Sequence, residues 1–250
     1  MSHARRVNGT GGRVQALLDL VLPRECVGCG RWDQTLCEDC AALFAGPPRR
    51  CLDLPNPSLP TWSAGPYRGA RRAAVLAWKN HRRDCAAPLL QAAEVSAEHW
   101  AEDLDLRALL HGVTGPLLVL PAPSGWRRRW ARRLVVADLA DAVASGLATG
   151  LREAGLTDVG EILTADVLRR TGGRHHLAGA GRRERAAQRA GRMHLTHLLP
   201  AGTAALLIDD VVTTGATLAA SAAALQEAGV QAMGAFTLVA TPASGAGLSP

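Results

Sequence analysis

Residues 204–217 combine four kinds of residue in an order that few folds accommodate. The segment begins with the apolar run 204–208, which has the length and composition of a buried parallel strand. Two adjacent carboxylates, Asp209 and Asp210, follow it, and a loop rich in threonine and glycine then leads into a helical pattern. Because residues 232–240 again resemble a strand, we predict a β-α-β unit within an α/β fold.

The two carboxylates come at the point where sheets of this kind bind their ligands, beyond the carboxyl end of a strand. An ionised carboxylate only accepts hydrogen bonds, so the vicinal hydroxyl groups of a ribose are suitable donors. A Mg²⁺ ion that shares those hydroxyls would relieve the repulsion between Asp209 and Asp210. The acid pair therefore predicts a site for a sugar.

The loop after the acid pair has the composition of a phosphate site. Thr213, Thr214 and Thr217 supply hydroxyl groups, and Gly215 lets the backbone approach an oxyanion closely. The helix that begins here presents unpaired N–H groups, which bind phosphate readily. The alternative is an ordinary strand, turn and helix in which the aspartates only cap the turn.

Four of the six cysteines form two C-x-x-C pairs in one short segment. Two such pairs can surround one Zn²⁺ ion tetrahedrally, and four thiolates leave no open position, so the expected role is structural. Disulfides, a redox pair and buried free thiols are the alternatives, and the absence of a recognisable secretory signal argues against disulfides. The predicted ligands are Cys26, Cys29, Cys37 and Cys40, whereas Cys51 and Cys85 are expected to be isolated thiols.

The charge of the chain favours anionic partners. Its net charge is +6, and Lys79 is the one lysine among 28 lysines and arginines. Aromatic residues make up 4%, so surfaces on which nucleic-acid bases could stack are scarce. No stretch reaches the roughly 18 consecutive apolar residues of a membrane span, and we expect a cytoplasmic protein.

The composition also divides the chain into segments. A run of prolines marks a linker, and the two ends are poor in residues that could form a core. The predicted parts are a disordered N-terminus (1–15), a zinc-ribbon module (16–45), a Pro-rich linker (46–62), the α/β domain (63–243) and a disordered tail (244–250).

The middle of the chain continues the α/β pattern. Helices are predicted from about residue 70 to 79 and over 86–100, 102–110 and 132–149. The apolar strand 117–120 runs into a proline-rich turn, and an arginine cluster at 127–133 follows it. That cluster is either a binding site for a diphosphate or a solvated helix face.

The segment 209–217 resembles the phosphoribosyl-pyrophosphate (PRPP) motif of the type I phosphoribosyltransferases. The resemblance implies that the acids hold the ribose hydroxyls, with Mg²⁺ bound alongside PRPP, and that the loop holds the 5′-phosphate. It implies a type I phosphoribosyltransferase-like parallel sheet flanked by helices, and the small four-cysteine zinc ribbon predicted above precedes this sheet. The residues that match the motif are Asp209, Asp210, Val211, Val212, Thr213, Thr214, Gly215, Ala216 and Thr217.

With the cysteine ribbon, the stretch 67–79 and the strand end 120–123, the chain resembles the ComF (competence protein F-like) family over about residues 17–240. The resemblance implies a pyrophosphate loop after strand 117–120. It also implies that the Arg- and Gly-rich segment 169–192 is a lid. The candidates for the pyrophosphate loop are Pro121, Ala122, Pro123, Ser124 and Arg127.

The family implies transfer of a phosphoribosyl group from PRPP with release of pyrophosphate, in nucleotide metabolism or in DNA uptake and competence. Whether the chain is an enzyme stays open, because a non-catalytic PRPP sensor needs the same pocket. A third reading is a nucleic-acid-handling protein whose partners are single-stranded DNA or the competence helicase machinery.

Overall fold

The computed structural model describes residues 24–54, 59–80, 82–123, 129–156, 159–170, 193–200 and 202–242. The predicted disordered ends, 1–15 and 244–250, lie outside these residues. So do most of the predicted lid, at 171–192, and two candidates for the pyrophosphate loop, Ser124 and Arg127.

The helices follow the predicted pattern closely, and one of them matches its predicted bounds of 86–100. A single 3₁₀ turn, Arg83–Cys85, precedes that helix. The α-helices of the described residues are α1 (Glu38–Ala45), α2 (Gly69–Lys79), α3 (Ala86–Trp100), α4 (Leu104–Leu110), α5 (Arg129–Glu153) and α6 (Ala216–Glu227).

The strands form two sheets, one of six strands and one of two. Those of the larger sheet are β1 (Arg49–Arg50), β2 (Thr61–Ser63), β3 (Leu117–Pro121), β4 (Ile162–Thr164), β7 (Ala204–Val212) and β8 (Gln231–Ala240), in the spatial order β1-β2-β8-β7-β3-β4. All neighbours in it are parallel except β1 and β2. The smaller sheet pairs β5 (Leu168–Arg170) with β6 (Met193–Leu195) in antiparallel fashion.

The six-stranded sheet is covered on both faces, which explains the continuously apolar strands. On β3, Leu117 and Val119 belong to a core that includes residues of helices α1 to α5. Leu118 and Leu120 belong to a second core that contains residues of α6, β5 and β6. This arrangement confirms the predicted α/β fold with a mostly parallel sheet. Among the helices that the structure describes, none combines the length and apolar character needed to cross a membrane.

Strand β7 is longer than its apolar run predicts. The sequence suggests a strand over 204–208, whereas the ladder with β8 continues through Asp209 opposite Thr237 to Val212 opposite Ala240. The strand continues because β8 supplies backbone partners as far as its own end. The two aspartates therefore lie inside a strand rather than in the loop that follows it.

Some residues of the predicted linker, 46–62, also join the sheet. Arg49 and Arg50 pair with Ser63 and Trp62 of β2. The Cys51 N–H then donates a hydrogen bond to the Thr61 carbonyl at 2.8 Å. The chain thus passes from the cysteine-containing segment along the edge of the sheet.

Candidate functional site

The carboxyl ends of β3, β7 and β8 meet at one edge of the sheet. Pro121 stands opposite Ile208 in the ladder, and the Ala122 N–H donates to the Ile208 carbonyl at 2.7 Å. On the other side of β7, the Thr241 N–H donates to the Val212 carbonyl at 2.9 Å. This edge, which we call the ligand edge, brings residues 121–123 of the predicted pyrophosphate loop beside the predicted PRPP motif.

The acid pair lies at the ligand edge and is largely withdrawn from solvent. Asp210 is buried, with 7% of its surface exposed, and Asp209 is half-buried. The Asp210 N–H donates to Asp209 Oδ1 at 2.8 Å. This bond holds the Asp209 carboxyl group against the backbone N–H of the next residue.

The surroundings of Asp209 disfavour its ionised form. Burial raises the pKa of this carboxyl well above its usual value, and the neighbouring charge of Asp210 raises it further. The nearby ammonium group of Lys79 acts in the opposite direction. A ligand that donates hydrogen bonds would stabilise the carboxylate and replace the lost hydration.

Lys79, which is distant from the acid pair in the sequence, contacts it in the folded protein. Lys79 Nζ lies 2.7 Å from Asp210 Oδ1, and the two side chains are 13% and 11% exposed. Lys79 is the last residue of α2, where the negative end of the helix dipole also favours a cation. Motif reasoning did not identify it as a site residue, although it is the one lysine of the chain.

The glycine loop has the geometry of an anion site. Gly215 precedes α6 with φ 74° and ψ 0°, a left-handed conformation that glycine adopts without strain. The Ala216 N–H donates to Thr214 Oγ1 at 3.4 Å. Thr213 and Thr214 are exposed and Thr217 is half-buried. The first turn of α6 carries no acidic residue that would repel an anion.

The remaining predicted segments are described in part. Ala122 is buried and Pro123 half-buried beside β7, and the side chains of residues 124–134 lie outside the description. The undescribed part of the predicted lid, 171–192, connects strands β5 and β6. Residues of both strands belong to the same core as Leu218 of α6.

The four predicted metal ligands come together in space. The Sγ atoms of Cys26, Cys29, Cys37 and Cys40 all lie within 4.8 Å of one another. Tetrahedral thiolates about 2.3 Å from a zinc ion would be about 3.8 Å apart. The distance of 3.6 Å between the Sγ atoms of Cys29 and Cys37 is close to that value. The cluster therefore fits one tetrahedral metal ion.

The electrostatics of the cluster also suit a cation. Burial raises the pKa of Cys26, but backbone hydrogen bonds from Cys37, Cys29 and Gly28 outweigh this effect and lower the pKa to about 6. Burial, followed by hydrogen bonding with the neighbouring thiols, raises the pKa of Cys40. The Cys26 thiol therefore ionises more readily than usual, and a divalent cation would stabilise its thiolate.

The cysteine cluster is packed against the helix that carries Lys79. A Cβ atom built on Gly28 would lie 2.7 Å from Cys40 Sγ and 3.4 Å from Cβ of Ala70 in α2. Arg71 of α2 donates two hydrogen bonds, of 3.0 and 2.7 Å, to the Leu43 carbonyl near the end of α1. The cluster and the acid pair are thus in contact with opposite ends of one helix.

Comparison with known families agrees with the geometry of the ligand edge. Residues 139–247 match the family model described as the phosphoribosyl transferase domain. No curated protein matches the chain at a significant level. The matched range contains β7 with its acid pair, the glycine loop and α6. Residues 139–247 of this chain are therefore similar to a phosphoribosyltransferase domain.

Proposed function

We propose that the chain binds PRPP at the ligand edge and transfers its phosphoribosyl group to an acceptor, with release of pyrophosphate. One observation carries the proposal. The acid pair, the left-handed Gly215 and the first turn of α6 follow one another at the strand ends, directly beside residues 121–123. Together they offer acceptors for ribose hydroxyls and backbone donors for phosphates within one edge.

Each part of PRPP has a complementary group in this arrangement. Asp209 and Asp210 accept hydrogen bonds from the ribose hydroxyls. The loop 213–217 binds the 5′-phosphate with its hydroxyl and N–H groups, and Val211 and Val212 anchor that loop to the sheet. The backbone of 121–123 would contact the pyrophosphate, and the sequence predicts the same role for Ser124 and Arg127, which lie outside the described residues.

The transfer would pass through a ribosyl centre with the character of an oxocarbenium ion as pyrophosphate leaves. The residues of the chain would act by orienting the sugar and stabilising charge, which supply most of the rate enhancement in reactions of this kind. Mg²⁺, which prefers oxygen ligands, suits the carboxylates of the acid pair and would neutralise the charge of the leaving pyrophosphate when bound.

We further propose that the four cysteines bind one structural Zn²⁺ ion. The short distances between their Sγ atoms and the low pKa of Cys26 support the assignment. The division into a zinc ribbon, a linker and the domain 63–243 belongs to the same proposal. The same proposal assigns the chain to the ComF family and places it in the cytoplasm. It gives the chain a role in nucleotide metabolism or DNA uptake.

A second candidate function is the handling of single-stranded nucleic acid. Its supporting observation is Trp32, which lies in the cysteine ribbon and is 58% exposed. An exposed indole ring offers a stacking surface for a base. Replacing Trp32 with alanine should weaken binding of single-stranded DNA, and the affinity should fall as salt increases. An affinity that does not respond to salt would exclude contacts with the phosphates.

Titration calorimetry with PRPP and Mg²⁺ tests the leading proposal. We expect the native chain to bind, and Asp209→Asn or Asp210→Asn to weaken binding by about tenfold or more, because each loses a charged acceptor. Failure of the native chain to bind would refute the site. Unchanged binding by both variants would refute the roles of the acids. Pyrophosphate release in the presence of candidate acceptors then separates an enzyme from a sensor.

A further inference from the structure

The contact between Lys79 and Asp210 has features of a functional pair rather than a surface ion pair. Both side chains are almost buried, and the N–O distance of 2.7 Å is that of a charge-assisted hydrogen bond. Lys79 is also the one lysine in a chain that otherwise uses arginine as its cation. A compact ammonium makes a point contact with one carboxylate oxygen, whereas guanidinium prefers to bind both.

The position of Lys79 is set by a well-packed helix. Ala74, Val75 and Trp78 of α2 are buried in the core beneath the sheet. Just before the helix, the Tyr67 N–H donates to the Ala240 carbonyl at the end of β8, at 2.7 Å. The helix is thus tied to the ligand edge at one end, and its last side chain returns to the acid pair at the other.

The contact with Lys79 gives the two acids different partners. Asp210 turns toward α2, where it contacts Lys79, whereas Asp209 accepts a hydrogen bond from the Asp210 backbone N–H. Asp209 Oδ1 is engaged by a backbone N–H, and Asp210 Oδ1 is engaged by Lys79. The protein therefore fixes the orientation of both carboxylates before any ligand arrives.

The contact also changes the charge that a ligand meets. Two ionised aspartates side by side would repel a sugar phosphate, which is itself an anion. The ammonium of Lys79 offsets one of these negative charges within the protein. An internal cation at this point therefore favours a ligand that brings both hydroxyl groups and phosphates.

We propose that Lys79 is a positioning residue for ligand recognition: it holds Asp210 as an acceptor for the vicinal hydroxyls of a ribose phosphate and offsets the repulsion between the acid pair and that anion. This inference rests on the proposed function, because it assumes that a ribose phosphate occupies the ligand edge. It assigns the discrimination between ribose and 2-deoxyribose to a contact between α2 and β7.

The test compares ribose 5-phosphate with 2-deoxyribose 5-phosphate by titration calorimetry at one fixed Mg²⁺ concentration. We expect the native chain to prefer ribose 5-phosphate by about tenfold or more, the usual effect of one hydrogen bond to a charged group. Lys79→Met should reduce this preference to about threefold or less. Lys79→Arg, which keeps the charge but changes its geometry, should retain an intermediate preference.

The matched control is Arg72→Met. Arg72 is exposed on the same helix, with its guanidinium carbon 5.8 Å from the centre of the Tyr67 ring. Its loss removes one positive charge from α2 without touching the acid pair, so the ribose preference should be unchanged. Circular dichroism monitors folding. If Lys79→Met does not fold, Lys79→Gln replaces it, because glutamine can still donate to Asp210 without carrying a charge.

The possible results separate the inference from the function on which it rests. A Lys79→Met chain that binds both sugars more weakly but keeps the native preference would overturn the inference, since Lys79 would then attract anions without orienting Asp210. A native chain that binds both sugars equally would overturn it as well, while the phosphate site would stand. A native chain that binds neither ribose 5-phosphate nor PRPP would refute the proposed function itself.

Discussion

Gly215 and Gly229 flank helix α6 with almost the same left-handed backbone, at φ 74° and φ 75°. A residue with a Cβ atom is strained in this conformation by about 1–2 kcal/mol. The two glycines therefore impose the same local requirement at opposite ends of one helix. Only Gly215 lies at the ligand edge, beside the acid pair.

Comparing substitutions at the two glycines separates an effect on the stability of the fold from an effect on PRPP binding. We expect Gly215→Ala and Gly229→Ala each to lower the free energy of unfolding by about 1 kcal/mol, because both force an alanine into the left-handed region. Only Gly215→Ala should also weaken PRPP binding, since it displaces the N–H groups of the first turn. Urea denaturation and calorimetry measure the two effects. Equal losses of PRPP affinity in both variants would contradict the phosphate role of the loop.

Asp209 should lower the stability of the fold at neutral pH. Its pKa is raised in the folded protein, so the folded state keeps a proton that the unfolded state releases above the ordinary value of 3.8. Stability therefore falls as pH rises from about that value through the raised pKa, and the loss persists above it.

We accordingly expect Asp209→Asn to raise the free energy of unfolding at pH 7 by about 1 kcal/mol, while weakening PRPP binding. The variant should also show a flatter dependence of stability on pH above about pH 4. Denaturant titrations at several pH values measure both quantities. If the native chain instead became more stable relative to Asp209→Asn as the pH rises through this range, the raised pKa of Asp209 would be contradicted.

Asp210→Asn should have the opposite effect on stability. It leaves the ammonium of Lys79 nearly buried without its partner, at a cost of about 2–4 kcal/mol. Lys79→Met should lower the free energy of unfolding by a similar amount, because it leaves the buried Asp210 carboxylate without its partner. The double variant Lys79→Met/Asp210→Asn should lose clearly less free energy of unfolding than the sum of the two single losses. A double-mutant cycle measures this difference. Additive losses would mean that the two side chains do not interact in solution.

Metal binding by the cysteine cluster should depend on the absence of a side chain at residue 28. A Cβ atom at Gly28 would lie 2.7 Å from Cys40 Sγ, so Gly28→Ala should displace a ligand and lower metal affinity by about tenfold. Gly46 has open space around it and an ordinary φ of −75°, so Gly46→Ala is the matched control. Competition with a chromogenic chelator gives the affinities. Equal metal affinity in the two variants would argue against a cluster that closes on Cys40.

The outline of the fold could be read from the chain because it depends on local patterns. The apolar runs at 117–120 and 204–208 predicted β3 and β7, since strands covered on both faces carry few polar residues. The helical pattern over 86–100 predicted α3. The spacing of Cys26, Cys29, Cys37 and Cys40 predicted a cluster, because two C-x-x-C pairs can converge on one point.

By itself, the sequence determined that an acid pair, a glycine loop and a helix follow a buried strand, because neighbours in the chain stay neighbours in the fold. Only the tertiary structure decided that Asp209 and Asp210 lie inside β7, since that required β8 as a backbone partner. It alone decided that Lys79 meets Asp210, because that contact depends on how α2 packs against the sheet. No local pattern specifies such packing, since it is settled by the burial of apolar side chains from many segments at once.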